Sequence, residues 1–268
     1  MIYKMIVLDI DGTLTTSKKD ITPATKEALL EIQQKGYKVV LASGRPTPGL
    51  ARFAKELELA KYGSYTLSYN GAKIVNCKTG EIMYEKLLPN NVLPDLYDIA
   101  IEHGVGIMTY ENDNVVTGTP FDKYMMLESR INNLNIRYEK NFKEYTTFPT
   151  HKCLMTGEHE VLQKAEEHLK KKYNSLLSIY FSEPFFLEIM PQNISKADSL
   201  QMLCNHLGMT SEEVICCGDG FNDISMIEFA GLGVAMENAQ DIVKESADYI
   251  TASNDNDGIV QVIRKFMK

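Results

Sequence analysis

The chain has 268 residues, 44% hydrophobic and 24% charged, an ordinary globular composition with length for one large domain or two modest ones. Its formal charge of -8 argues against a nucleic-acid partner, and no apolar run approaches the ~20 residues of a membrane span. Five cysteines without metal-type spacing, and a start that enters an apolar stretch with no signal-peptide pattern, predict buried thiols in a reducing cytoplasm.

The first element is the apolar run Ile6, Val7 and Leu8, the pattern of a strand buried on both faces of a parallel sheet. It ends abruptly in Asp9-Ile10-Asp11-Gly12-Thr13. Side chains alternate along a strand, so Asp9 and Asp11 can point the same way at its carboxyl end, where ligands bind in open α/β sheets. Two carboxylates there are costly to desolvate unless a cation or a proton shares the site. Three readings compete. One is a strand followed by a plain Asp-Gly turn. Another is an EF-hand loop, which fails on the positions of Gly12 and Thr13 and on the lack of a preceding helix. The third is a carboxylate nucleophile beside a divalent cation, with the second carboxylate as general acid and base.

Further along, Thr22-Pro23 supplies an N-cap with proline at the first helical position. Ala24, Ala28, Leu29 and Ile32 then space an apolar stripe at helical period, and Gly36 stops it. Tyr37 to Ala42 reads as the next strand, completing a right-handed βαβ unit that brings Ser43 and Gly44 to the same sheet edge as Asp9. A second amphipathic helix follows through Leu50, Phe53, Ala54 and Leu57, and Asn70-Gly71 marks a tight turn between two extended runs. Over 84–184 aromatics, Met and Asn become frequent. Helix-like stretches at 96–101 and 161–169 and a strand at 179–182 predict a small separate α/β or α+β unit there. The apolar run 185–189 is expected to return the chain to the first unit. Lys196, a helix to Leu207 and a buried strand Val214-Ile215-Cys216-Cys217 follow, and that strand ends at Gly218-Asp219-Gly220.

Four of these segments, in order, resemble the signatures of the haloacid dehalogenase superfamily. They are Asp9-Ile10-Asp11-Gly12-Thr13-Leu14-Thr15, Leu41-Ala42-Ser43-Gly44-Arg45, Lys196 in Asn193-Ile194-Ser195-Lys196, and Gly218-Asp219-Gly220-Phe221-Asn222-Asp223. The long gap between the second and third resembles the Cof-type branch. The resemblance implies an α/β fold: a Rossmann-like parallel-sheet core with helices on both faces, built from 1–83 and 185–268, and an inserted α/β cap over 84–184 that selects substrate. It implies a Mg²⁺-dependent phosphatase whose partner is a small phosphorylated metabolite, with neither nucleic acid nor membrane involved. Sugar phosphates come first; pyridoxal phosphate, flavin mononucleotide and a phosphorylated riboflavin precursor are alternatives. A phosphomutase is a rival enzyme class. A non-catalytic phosphometabolite sensor is disfavoured, because every candidate catalytic residue is present.

By the same resemblance Asp9 is the nucleophile and Asp11 the general acid and base. Asp9, Asp11 (through its carbonyl), Asp219, Gly220 and Asp223 are the metal residues. Ile10, Ser43, Gly44, Lys196 and Asn222 face the phosphate. Asp223 either binds the metal through water or orients Lys196, and Asn70 either only shapes its turn or lies on the substrate side. Asp11 itself argues against dehalogenase chemistry, where the family lacks an acid at that place. There is no Walker-type phosphate loop or dinucleotide fingerprint, and the oligomeric state is not legible.

Overall fold

Short apolar runs bounded by turn formers become strands, and longer amphipathic runs become the helices that cover them. The computed structural model describes residues 3–89 and 91–267. The strands are β1 (Met5–Leu8), β2 (Lys38–Ala42), β3 (Tyr65–Ser68), β4 (Lys73–Asn76), β5 (Ile82–Glu85), β6 (Gly106–Glu111) and β7 (Asn114–Thr117), followed by β8 (Asn135–Tyr138), β9 (Cys153–Thr156), β10 (Leu177–Glu183), β11 (Phe186–Pro191), β12 (Val214–Gly218), β13 (Leu232–Ala235) and β14 (Tyr249–Ile250). The chain divides into two compact units: one runs to Tyr84 and resumes at Ser195, and the other is Glu85–Ile194.

The first unit is built on a sheet of order β14-β13-β12-β1-β2-β3-β4-β5. Strands β14 through β3 are parallel, and β4 turns back antiparallel on β3. All four β1 residues are buried, as a central parallel strand requires. Ile6 and Leu8 join a cluster containing Leu29 and Ile32 of the helix Pro23–Gln34 and Ile259 and Val262 of the helix Gly258–Phe266. Met5 and Val7 join a second cluster with Leu200 and Leu203 of the helix Lys196–Leu207. The sheet is therefore covered by helices on both faces. The expected cap at Thr22 is present, its side chain accepting the backbone N–H of Thr25.

The second unit has a six-stranded sheet of order β10-β11-β9-β6-β7-β8, antiparallel except for the β7–β8 pair. Its core combines Leu96 and Ile99 from the helix Val92–His103, Leu162 and Leu169 from the helix His159–Tyr173, and Ile107, Met155, Leu187 and Ile189 from the strands. Here one expectation is corrected. The run at 185–189 does not return to the first unit: Pro184-Phe185 is a turn, and β11 folds back on β10 and pairs with β9. The change between units thus falls after Ile194 rather than after residue 184, and the first unit keeps Tyr84. A short apolar strand reads alike in either sheet, and only the tight turn before it fixes its partner. Among the described residues no helix is long and apolar enough to cross a membrane, and all five cysteines are free.

Candidate active site

Because β12, β1 and β2 lie side by side and parallel, the residues that follow each leave from one sheet edge. Asp9 follows β1, Ser43 to Arg45 follow β2, and Asp219 to Asp223 follow β12. Lys196 is the first residue of its helix, which Ser195 caps by accepting the N–H of Asp198. The Lys196 side chain is fully buried. Its ammonium donates to Asp9 Oδ1 at 2.7 Å, the Ala42 carbonyl at 2.7 Å and Asp223 Oδ1 at 2.6 Å, so three donors meet three acceptors. Burial alone would push this lysine down; Asp223 and Asp9 outweigh it and hold its pKa above the usual value.

Asp223 Oδ2 accepts the backbone N–H groups of Asp219 and Gly220, each at 2.9 Å. Both of its oxygens are thereby engaged. Of the two roles left open for Asp223, this geometry favours orienting Lys196, and it gives Gly220 a part in holding Asp223. Asp219 accepts from Thr13 Oγ1 at 2.7 Å. Gly12, at φ 88, passes so close that an added Cβ would sit 2.2 Å from Asp219 Oδ2, so glycine is required there on both counts. Asn238 Nδ2 donates to the Gly12 carbonyl at 2.8 Å and ties down the same turn.

Carboxylate oxygens of Asp9, Asp219 and Asp223 lie within 4.8 Å of one another. One lysine does not balance three carboxylates. Burial, then Asp223 and Asp219 against the pull of Lys196, hold Asp9 well above the carboxylate range. Burial and Asp223, opposed by the Thr13 hydrogen bond, raise Asp219 to about 6. Hard oxygen donors with this surplus of negative charge fit a divalent cation of the Mg²⁺ kind.

Asp11 has the opposite environment. Arg45 donates through Nε to Oδ2 at 2.7 Å and through Nη2 to Oδ1 at 2.8 Å, and Lys19 Nζ adds a contact to Oδ1 at 2.9 Å. Burial works to raise this carboxyl, yet Arg45 and then Lys19 bring it down to about 2. Reading the sequence singled out neither partner nor Thr13. Arg45 lies inside the second motif directly after Gly44, and that adjacency was the available signal.

The remaining candidates are linked by the turn at 69–71. Ser43 is buried, and its Oγ accepts the Arg45 N–H at 3.2 Å. A Cβ on Gly44 would come 3.1 Å from Asn70 Oδ1, the atom that also accepts from Asn222 Nδ2 at 3.0 Å. Asn70 thus shapes its turn and also joins the rim of the site. The Ile10 side chain is buried, and its carbonyl accepts from the backbone and hydroxyl of Thr15, closing the loop after β1.

Residues 6–263 match the family described as haloacid dehalogenase-like hydrolase. A crystal structure of a haloacid dehalogenase-like hydrolase from Bacteroides thetaiotaomicron superposes with a TM-score of 0.95 at 47% identity, covering 98% of this chain and 99% of that one. The subclass IIB sugar phosphatase BT4131 superposes with a TM-score of 0.82 at 26% identity, covering 98% of each chain. The 5-amino-6-(5-phospho-D-ribitylamino)uracil phosphatase YcsE of Bacillus subtilis is 33% identical over 98% of this chain and 96% of its own.

Proposed function

Because this chain belongs to the haloacid dehalogenase-like hydrolases, we propose that it is a Mg²⁺-dependent phosphatase of small phosphorylated metabolites, with sugar phosphates as its substrate class. The observation that carries this reading is the buried Lys196 ammonium bridging Asp9 and Asp223 at a parallel-sheet edge. Such a site presents a carboxylate, fixed in place, to an incoming phosphoryl group.

Asp9 attacks phosphorus with one carboxylate oxygen, and the phosphorus–oxygen bond to the leaving group breaks. The resulting alkoxide takes a proton from Asp11. Asp11, now ionised, accepts a proton from the water that attacks the aspartyl-phosphate, and inorganic phosphate leaves with the Asp9 carboxylate restored. Asp9 and Asp219 would hold Mg²⁺, with the Asp11 carbonyl as a further ligand, and the bound ion supplies positive charge against the phosphoryl oxygens. Lys196 supplies a second fixed cation. Ser43, Gly44, the Ile10 segment and Asn222 offer further donors to phosphate oxygens. The guanidinium of Arg45 holds Asp11 as a base in the resting arrangement. A phosphoryl dianion competes for Arg45 through the same two-pronged geometry, which releases Asp11 to carry the proton needed in the first step.

Two relatives support the substrate class from different sides: one is named a sugar phosphatase, and the other acts on a phosphorylated ribityl chain. Both names describe a phosphorylated sugar or sugar-alcohol chain, and we propose the same for this chain, with substrate selection in the unit 85–194. Water as phosphoryl acceptor distinguishes the proposal from a phosphomutase. The net charge of -8 supports a small anion gathered by local cations over a nucleic-acid partner, and five free thiols support a cytoplasmic setting.

The test is phosphate release across a panel of sugar, sugar-alcohol and cofactor phosphates in Mg²⁺. Asp9→Asn should lower kcat at least ~1,000-fold, the scale on which a lost nucleophile is felt, while circular dichroism stays that of the parent. Undiminished release by folded Asp9→Asn would overturn the covalent route.

A further inference from the structure

Two of the chain's five histidines meet in the second unit, none of whose residues belongs to the site described above. His103 is the last residue of the helix Val92–His103, which Gly104 closes at φ 66, and His168 lies on the helix His159–Tyr173. The two helices share a hydrophobic cluster containing Ile99 and Ala100 from the first and Ala165 and Leu169 from the second. His103 lies one turn beyond Ile99 and Ala100, and His168 falls between Ala165 and Leu169, so the half-buried histidines flank this apolar seam.

His103 Nε2 and His168 Nδ1 are 3.1 Å apart, with the rings edge-on at 5.4 Å. Glu102 Oε2 lies 3.8 Å from His168 Nδ1, and the three atoms all fall within 4.8 Å of one another. Two imidazole nitrogens on one tetrahedral zinc, at bonds of ~2.0–2.1 Å, stand ~3.3 Å apart. The histidine nitrogens are already near that separation. Side-chain exposures of 35% for His168 and 65% for Glu102 leave water able to complete a coordination shell. Asp95 of the first helix is also bonded to Lys172 and Tyr173 of the second, a further tie between the two helices.

We propose that Glu102, His103 and His168 form a binding site for a borderline transition-metal dication, with Zn²⁺ as the reference ion, that clamps the end of the first helix to the flank of the second. Two nitrogens and one carboxylate oxygen select zinc, nickel or copper over Mg²⁺, which takes oxygen ligands. The site is thus chemically orthogonal to the acidic cluster of the first unit.

The experiment is calorimetric titration of the full chain with ZnCl₂ in saturating Mg²⁺, repeated in Asp219→Asn so that the acidic cluster cannot account for the heat. One Zn²⁺ per chain should bind in both proteins with a micromolar dissociation constant. His103→Gln and His168→Gln should each weaken binding at least tenfold, and Glu102→Gln, a conservative change at an exposed position, severalfold. Zn²⁺ should raise the parent's melting temperature by several degrees and that of the histidine variants by clearly less, since a ligand bound to the native state shifts the transition in proportion to its affinity. Zinc heat that vanishes in Asp219→Asn would overturn the proposal. So would binding that survives both histidine substitutions, leaving the pair a hydrogen bond only.

Discussion

Removing the Lys196 ammonium leaves Asp9 and Asp223 facing each other in a buried space, with the Ala42 carbonyl also losing its partner. Lys196→Ala should therefore destabilise the protein by about 3–5 kcal/mol, the scale for breaking one side of a buried ion pair. It should also lower kcat/KM for all phosphate esters by a common factor, because the ammonium meets no part of a leaving group. Urea unfolding and a substrate panel measure the two effects; a changed substrate ranking would contradict the second. Arg45→Gln addresses Asp11. Without the guanidinium its pKa should climb from about 2 toward or beyond the ordinary carboxylate range. An acid works only while it holds its proton, and kcat/KM reports the first step, in which Asp11 protonates the leaving group, so the alkaline limb of the pH–kcat/KM profile should move to higher pH in the variant. An unmoved limb would separate Arg45 from the proton steps. Asp9 and Lys196 were legible in the sequence through their motifs. Arg45 was not, since an arginine after a Ser-Gly turn reads as a solvated charge until its burial and its two-pronged contact with Asp11 are known.

Helix and turn are coupled where Lys196 enters. The Ser199 hydroxyl donates to the Gly71 carbonyl at 2.5 Å, one turn into the Lys196 helix. Gly71 sits at φ 100, and a Cβ there would come 2.7 Å from the Ser195 carbonyl. Gly71→Ala thus meets both a left-handed backbone and a clash that only moving the helix relieves. We expect a loss of about 2–4 kcal/mol together with reduced activity, from strain and from displacement of Lys196. Thermal melts and phosphate release check this; Gly71→Ala at parental stability would sink it. The elements of the first unit were readable because caps, stops and apolar runs agreed: Thr22, Gly36 and Gly208 each bound a helix where expected. In the second unit, β8, exposed at both ends and only half-buried between them, gives no apolar run to find. β11 was visible as an apolar run but not as a partner of β9, because pairing is a tertiary property.

At the scale of the whole molecule, the acidic cluster makes stability depend on pH. Asp219 titrates near 6 in the native state and Asp9 is raised as well, both above their unfolded values. The native state then binds protons more tightly. Stability conferred by Asp219 is fully present below ~4 and is lost as pH rises through about 6, and that conferred by Asp9 is likewise lost as pH rises. In chelator the melting temperature should fall between pH 5 and 7, and Asp219→Asn should flatten the fall; a parental slope in the variant would refute the assignment. The strand order was implied by the motifs, since β1, β2 and β12 must adjoin for their loops to meet. The true extent of the inserted unit was not, because one hairpin decides it. The Lys196–Asp9 contact spans 187 positions along the chain. During synthesis, β1 emerges from the ribosome with its acidic terminus long before the lysine and β12 exist. The nascent N-terminal segment must wait, unpaired on one edge and uncompensated in charge, while all of 85–194 is made. The enzyme is therefore inert until most of its chain has been translated, and chaperone dependence should concentrate on that waiting segment.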